Sequence, residues 1–323
     1  MPANFHLDLV AFAQDHLPEI TGTVGLVSYA LLRNKLTPAG IFAGILVAGI
    51  HTLHPWRAFF WLLIVFFLVG TLVTRIGHKA KVHLTQSATG GSGGEGPRSS
   101  AQVFANSGTA CILIALHSYL LHGSSKPFIS SFLPLAAGPS FPILQGLLPI
   151  GIIAQYAAVA ADTFSSELGI LARTTPFLIT APWRRVPRGT NGGVTLEGLL
   201  YGLVGSVLLV GVAQLALSLS PYATAAKATL SPSTIWLLSL AGLAGSVIDS
   251  VLGALVQTTV TDRTTGKVVE GAGGTRVKVA EGGSRAKSGR DLLTNNGVNF
   301  AMAAITSGLA MGVAYALGLH VGL

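Results

Sequence analysis

A chain of 323 residues that is 50% hydrophobic, only 10% charged and has a mean hydropathy of +0.63 is no ordinary soluble domain. One cysteine, Cys111, excludes an intrachain disulfide framework and a cysteine-rich metal site. The net charge of +8 suits anionic lipid headgroups or a phosphorylated substrate, and no nucleic-acid partner is expected.

The first residues, MPANFHLDLVAFAQDHLPEI, lack a basic stretch and carry Asp8, Asp15 and Glu19. They do not read as a cleavable signal peptide, so the first span is expected to direct targeting. Apolar runs near the ~20 residues that cross a bilayer core predict an all-α, polytopic integral membrane helical bundle forming a single domain over 1–323. About eight spans are expected, near 17–33, 38–53, 57–75, 101–121, 145–168, 194–218, 234–257 and 295–319. The second, AGIFAGILVAGIHTL, is short and Gly-rich, so re-entrant or broken helices have a place in the bundle. Residues 76–98 include TQSATGGSGGEGPR and read as a flexible cytosolic linker. Its glycines do not form GxxxxGK[ST], which argues against a nucleotide-binding P-loop. Residues 259–294 form a further cytosolic loop, where β-branched residues flanking TGK and AGGT fit a small β-hairpin or a disordered basic loop.

Every lysine and arginine except Arg57, Lys126 and Lys227 falls in loops that follow odd-numbered spans. The positive-inside rule therefore puts both termini outside and the basic loops in the cytosol. In a eukaryotic cell the expected setting is an endomembrane such as the endoplasmic reticulum.

On that topology, spans 4, 6 and 8 begin at the cytosolic face with RSSAQVFANSG (98–108), RGTNGGVTLEG (188–198) and TNNGVNFAMAA (294–304). Helix N-termini offer unpaired N–H groups and partial positive charge, a ready anion site. Gly189, Gly192 and Gly193 would admit a ligand close to the backbone, and Arg98 and Arg188 could grip phosphate oxygens in pairs. The plainer alternative is helix capping by Thr190, Asn191, Thr294 and Asn295. Spans 5 and 7 end on the same side and supply acids: Asp162 and Glu167 in AADTFSSELG, and Asp249 in AGSVIDSVLGALVQ. Ionisable groups in a span mark a functional site by default, since lipid makes them costly. Ser246, Asp249, Gly253 and Gln257 share one helical stripe, as do Asp162, Ser165, Ser166 and Gly169. Asp162 and Glu167 lie roughly 140° apart on a regular helix, so one ligand reaches both only if the helix breaks or partners lie on two sides.

Asn295, Asn296 and Asn299 present amide oxygens along the start of span 8. Carboxylates with amide oxygens are hard ligands suited to magnesium, so Asp162, Glu167 and Asp249 are the expected metal and catalytic residues. The arginines of 184–188 are the expected partners of nucleotide phosphates. For each acid, the alternative is a hydrogen bond that merely fixes helix packing. Glu197 reads as a residue complementing a helix dipole. His51, His54, His117 and His122 fall toward the outer side, far from the acids and without an HExxH pattern. Trp56, Trp61 and Trp236 read as interfacial belt residues.

The segments ADTFSSELG (161–169), RGTNGGVTLEG (188–198), GSVIDSVLGALVQ (245–257) and TNNGVNFA (294–301), preceded by SSAQVFANSG (99–108), resemble the transmembrane protein 19 family, in that family's order. The family includes the plant phytyl phosphate kinase of vitamin E synthesis. The resemblance implies a multi-pass enzyme that phosphorylates an isoprenoid monophosphate to the diphosphate, with CTP or another nucleoside triphosphate as donor. By position it carries Asn106, Asp162, Glu167, Asn191, Asp249, Asn295, Asn296 and Asn299. The sequence departs where TGGSGGEG stands in place of a more basic approach to the fourth span. Expected partners are thus an isoprenoid phosphate lipid, a nucleotide and membrane lipids, with Mg2+ as cofactor. A transporter or flippase for a phosphorylated lipid or organic anion is the competing reading, and expects polar groups lining a path to both faces. A non-enzymatic scaffold would leave the clustered Asn and Asp residues unexplained.

Overall fold

A computed structural model describes residues 9–88, 96–122, 141–219 and 229–322. Among them ten helices follow in chain order: α1 (Leu9–Asp15), α2 (Leu17–Leu32), α3 (Pro38–Thr52), α4 (Ala58–Arg75), α5 (His78–Lys81), α6 (Ser100–His122), α7 (Pro142–Gly169), α8 (Leu196–Ser218), α9 (Pro232–Val256) and α10 (Asn295–Ala316). Of these, α4, α6, α7, α8, α9 and α10 are long and apolar enough to cross a membrane. The first two of the eight expected spans are shorter: α2 has 16 residues and α3 has 15. At about 1.5 Å per residue α3 covers only some 22 Å, less than a bilayer core.

Helix α7 is the axis of the bundle. Every residue from Leu148 to Ala161 is buried, as expected of a helix whose apolar residues face every side, with Gln155 and Tyr156 as its polar exceptions. Around it pack α4, α6, α8, α9 and α10, with α3 laid against α6. Lipid offers no hydrophobic drive for helices to associate, so close contact must come from small residues. Gly198, Gly202 and Gly205 form such a stripe on α8: a Cβ at Gly205 would lie 2.8 Å from the Ala160 carbonyl oxygen, and one at Gly202 would lie 3.2 Å from that of Ala161. On α9, a Cβ at Gly242 would lie 2.1 Å from Ser206 Oγ and 2.9 Å from the Ala157 carbonyl carbon, so three helices meet there.

At the other end from the acids, Pro149 cannot donate to the Gln145 carbonyl, and His117 bonds to that carbonyl instead. The Trp56 amide donates to His54 Nδ1, which leaves His54 Nε2–H to donate to His117 Nδ1 at 2.9 Å. His51 Nδ1 donates to Val47 O, and its Nε2 accepts from the Tyr156 hydroxyl at 2.6 Å. These histidines are packing elements, and Trp56 belongs with them: it is 5% exposed, not a belt residue, because His54, Phe59 and His117 surround its ring. Trp61 and Trp236 are exposed as expected.

Residues 76–98 are not a linker throughout. Helix α5 is held by Lys81, and strand β1 (Gln86–Ser87) pairs in parallel with β6 (Val269–Glu270). Residues 89–95 lie outside the described residues. The 177–194 segment folds as a three-stranded sheet of β2 (Phe177–Leu178), β3 (Ala181–Arg185) and β4 (Gly193–Val194), ordered β3-β2-β4. In the 259–294 loop, β5 (Thr259–Asp262) pairs antiparallel with β7 (Arg285–Ser288), and a 3-10 turn at Ala272–Gly274 lies between β6 and β7. The Asp262 carboxylate accepts the Thr264 and Thr265 amides at 2.9 Å, which closes the turn after β5.

Candidate active site

Helices α4, α7 and α9 end, and α6 and α10 begin, around a cavity of ≈ 460 Å³. The loops carrying β1, β4 and β6 cover it. Thirteen of the residues singled out from sequence line it: Arg98, Asn106, Asp162, Glu167, Arg188, Thr190, Asn191, Gly192, Gly193, Asp249, Asn295, Asn296 and Asn299. They come from five segments far apart in the chain, and the fold brings them together.

Local bonding divides these residues into scaffold and free groups. Arg98 is fixed by its backbone, whose N–H donates to Lys35 O at 2.9 Å and whose carbonyl accepts from Thr37 N–H at 3.0 Å. Its guanidinium lies over Gly70 of α4. Ser99 and Gln102 then form a reciprocal cap on α6, with the Ser99 amide donating to Gln102 Oε1 at 2.9 Å. Asn299 donates to Asn106 Oδ1 at 3.4 Å across the α6–α10 contact. Asn296 donates to Gly273 O at 3.0 Å, and Asn295 Oδ1 accepts from Gln257 at 3.5 Å.

The expected caps shift. Thr294 does cap α10, accepting from Gly297 N–H at 3.2 Å, but α8 is capped by Thr195 rather than by Thr190 or Asn191. Helix α8 starts later than the apolar run suggested, so RGTNGG is loop and strand. Within it Asn191 donates to Thr258 O at 3.0 Å, and Thr190 Oγ1 donates to Pro187 O at 2.8 Å. Gly192 has φ +78°, and a Cβ there would lie 2.4 Å from Ala254 Cβ and 2.8 Å from Ser250 O, so the loop backbone is seated directly on α9. Arg188 donates one Nη1–H to Ile170 O, just past the end of α7, at 2.7 Å, and its other donors are left for the cavity.

The three acids separate. Glu167 Oε2 lies 2.5 Å from Lys81 Nζ, which also reaches Val73 O and Thr74 O at the end of α4. Among the described residues Asp162 and Asp249 form no ion pair. Buried Asp249 Oδ1 has no hydrogen-bond partner among the described residues, and the two aspartates line the same cavity. No set of three His, Cys, Asp or Glu side chains among the described residues converges as a metal centre. The expected triad is therefore a pair, with Glu167 engaged by a lysine. Among the described residues Arg98, Arg188 and the two aspartates line the cavity without an ion-pair partner, whereas Arg276 and Lys287 on its rim both pair with Asp291, at 2.8 and 3.6 Å.

Arg184 and Arg185 lie on exposed β3 and do not line the cavity, so of the expected 184–188 cluster only Arg188 reaches it. Lys81 was missed from sequence because HKAK looks like any basic loop. Gln102 carried a legible signal in the SxxQ spacing of SSAQ.

Lys81→Met should lower stability by about 2 kcal/mol, since Glu167 then keeps its charge in a half-buried place without a partner. Adding Glu167→Gln should restore most of that loss. Thermal unfolding of both single variants and the double variant in detergent checks the coupling.

Fold and cavity together define a multi-pass helical membrane protein with a charged, polar chamber at an end of its bundle. The chain belongs to the family described as integral membrane protein DUF92, which matches residues 21–307 and bears out the resemblance read from the motifs. It is 36% identical over 289 residues to Protein PGR of Arabidopsis thaliana, covering 89% of this chain and 91% of that one. It is 30% identical over 191 residues to Protein VTE6, chloroplastic, of the same plant, covering 56% and 48% respectively. An uncharacterized membrane protein of Methanocaldococcus jannaschii is 31% identical over 196 residues, or 61% of this chain and 64% of that one. No solved structure matches significantly.

Proposed function

We propose that this protein is a membrane kinase that phosphorylates an isoprenoid monophosphate, phytyl or polyprenyl, to the diphosphate, with magnesium and a nucleoside triphosphate such as CTP. The observation that carries the reading is the position of the two unpaired aspartates: both open into a chamber confined to the last turns of α7 and α9 and the first turns of α6 and α10. Beyond it, α7 is buried without a break from Ala161 back to Leu148, and no residue of that stretch lines the cavity. That confinement favours a kinase over a transporter or flippase.

The residues fit a magnesium ion. Two carboxylates share the chamber without a counter-ion, and Asp249 Oδ1 is a buried acceptor with nothing to accept from, a costly arrangement unless a cation belongs there. Asp162 and Asp249 would hold the metal, which when bound neutralises phosphate oxygens. Arg98, beside Gly70 of α4, and Arg188, beside the end of α7, would orient the phosphates. An oxygen of the lipid monophosphate attacks the terminal phosphorus of the donor; a new P–O bond forms, the β–γ bridge breaks, and a nucleoside diphosphate leaves. The attacking phosphate oxygen is already ionised near neutral pH, so the residues need supply only position and charge. The apolar tail would lie between helices, toward lipid. Membership of a family that, by the motif resemblance, includes a plant phytyl phosphate kinase supports the same chemistry.

The test is a product assay on purified protein with isoprenyl monophosphates, each of four nucleoside triphosphates, and magnesium. Diphosphate formation is expected. Its absence with every donor, together with movement of a phosphorylated lipid in proteoliposomes, would replace the kinase with the transporter.

A further inference from the structure

The β2–β4 sheet carries a feature that the chamber does not use. Strand β3 pairs with β2 at Ala181↔Leu178 and Arg185↔Phe177, so Pro182, Trp183 and Arg184 have no ladder partners and form a bulge. Bulges re-aim side chains, and this one turns Trp183 outward to 85% exposure. An indole so placed in water forfeits a large apolar area that a bilayer interface would cover.

The sheet fixes the height of the bulge. Phe177 pairs with both Arg185 and Val194, so these two lie on one row, and Leu196, the first residue of α8, follows two positions after Val194. Strands β3 and β4 are each antiparallel to β2, so both run toward the membrane end of α8. Leu196 and Leu200, exposed at 67% and 63%, mark where the lipid-facing side of α8 begins. The bulge thus stands about two strand spacings, roughly 10 Å, to the side of β4 and one to three residues before the Arg185–Val194 row, on the side away from the bundle, from where the long Trp183 and arginine side chains reach back toward the headgroups.

Chemistry selects the occupant. Pro182 has no N–H to offer along the open edge of β3, which disfavours a strand from another protein. Arg184 and Arg185 flank the indole, and the nearby acid, Glu197, already accepts from Thr174 Oγ1 at 2.7 Å. Arg185 is aimed by a bond to Thr175 O at 2.9 Å and by the Phe177 ring beneath it, with other N–H groups left over. We propose that Pro182–Arg185 is a lipid-reading wedge: Trp183 seats in the headgroup layer of the cytosolic leaflet, and Arg184 and Arg185 bind the phosphates of anionic lipids there. The same sheet continues into the Arg188–Gly193 wall of the chamber, so anionic lipid would hold that wall in place.

The test uses the full chain in nanodiscs of phosphatidylcholine alone or with about one-third phosphatidylglycerol, with bromine placed on the acyl chains of one lipid at a time. The emission lost in Trp183→Phe reports on Trp183. It should be blue-shifted, and brominated phosphatidylglycerol should quench it more than brominated phosphatidylcholine. That preference should fall about fivefold for each of Arg184→Gln and Arg185→Gln, the weight of one arginine near an anionic surface. Emission at water-like wavelength, quenched by iodide and not by bromolipid, would overturn the proposal. So would protection from both quenchers, which would put a protein over the indole, or equal quenching by the two lipids. None of these readouts depends on phosphoryl transfer, so they stand or fall apart from the kinase reading.

Discussion

Asp249→Asn should remove phosphoryl transfer while leaving the purified protein as stable as before, or slightly more so. A structural aspartate behaves in the opposite way: its loss breaks a bond and lowers stability. Asp249 Oδ1 has no bond to lose, and an amide in its place brings no charge into the buried site. Turnover should fall by about 10²–10³ or more, on the scale of removing one preorganised charge-stabilising group. Asp162→Asn should give a similar loss. Glu167→Gln differs, because Glu167 meets Lys81: its effect should appear in thermal unfolding and only secondarily in turnover. Initial rates and unfolding midpoints measured on the same preparations separate these outcomes. Wild-type-like turnover in both aspartate variants would sink the role assigned to the pair.

Gly242→Val should prevent stable assembly of the bundle, with a loss of about 3 kcal/mol or more. Ser206 Oγ, 2.1 Å from the new Cβ, could rotate away, but only by giving up its bond to Ser239 O. The Ala157 carbonyl carbon, at 2.9 Å, belongs to the backbone of α7 and cannot rotate. Helix α9 must therefore withdraw from α7. Gly242 and Asp249 are seven residues apart and share a helical stripe, so the withdrawal carries Asp249 away from Asp162. Gly242→Ala should show the same trend more mildly. Monodispersity in detergent and heat-induced loss of the folded peak measure it. Unchanged values for the valine variant would mean that α7, α8 and α9 do not meet as closely as described.

Chemistry was easier to read from this chain than geometry. Apolar length marked the six long helices, acids and amides in or beside apolar runs marked Asp162, Glu167, Asp249, Asn295, Asn296 and Asn299, and the polar helix starts marked Arg98, Arg188, Thr190 and the glycines. A single charged or amide group inside an apolar run has few harmless explanations, which is why that signal was strong. What the side chains bond to was not legible. Nothing in AADTFSSELG says that Glu167 meets Lys81, 86 residues earlier in the chain, or that Asp162 does not. The Gly/Ser content of 85–98 masked the pairing of Gln86 and Ser87 with Val269 and Glu270, because a parallel strand partner so far along the chain leaves no local trace. Trp56 looked like a belt residue because its position at a helix start suits one; the His54–His117 pair that encloses it is a tertiary fact.

The axial helix α7 also bears on how the protein is made. Its two mid-helix polar residues, Gln155 and Tyr156, bond to the Asn106 carbonyl on α6 and to His51 on α3, both synthesised earlier. Helices α8 and α9, which leave the ribosome afterwards, meet α7 chiefly through glycines, and α10 adds the Ser307 bond to Gly151 O. The Gln155 amide N–H and the Tyr156 hydroxyl of α7 thus have their partners on helices made before it, and the later helices close around it. Chain order therefore lets the helix that carries Asp162 meet two of its mid-helix polar contacts before α8, α9 and α10 have been made.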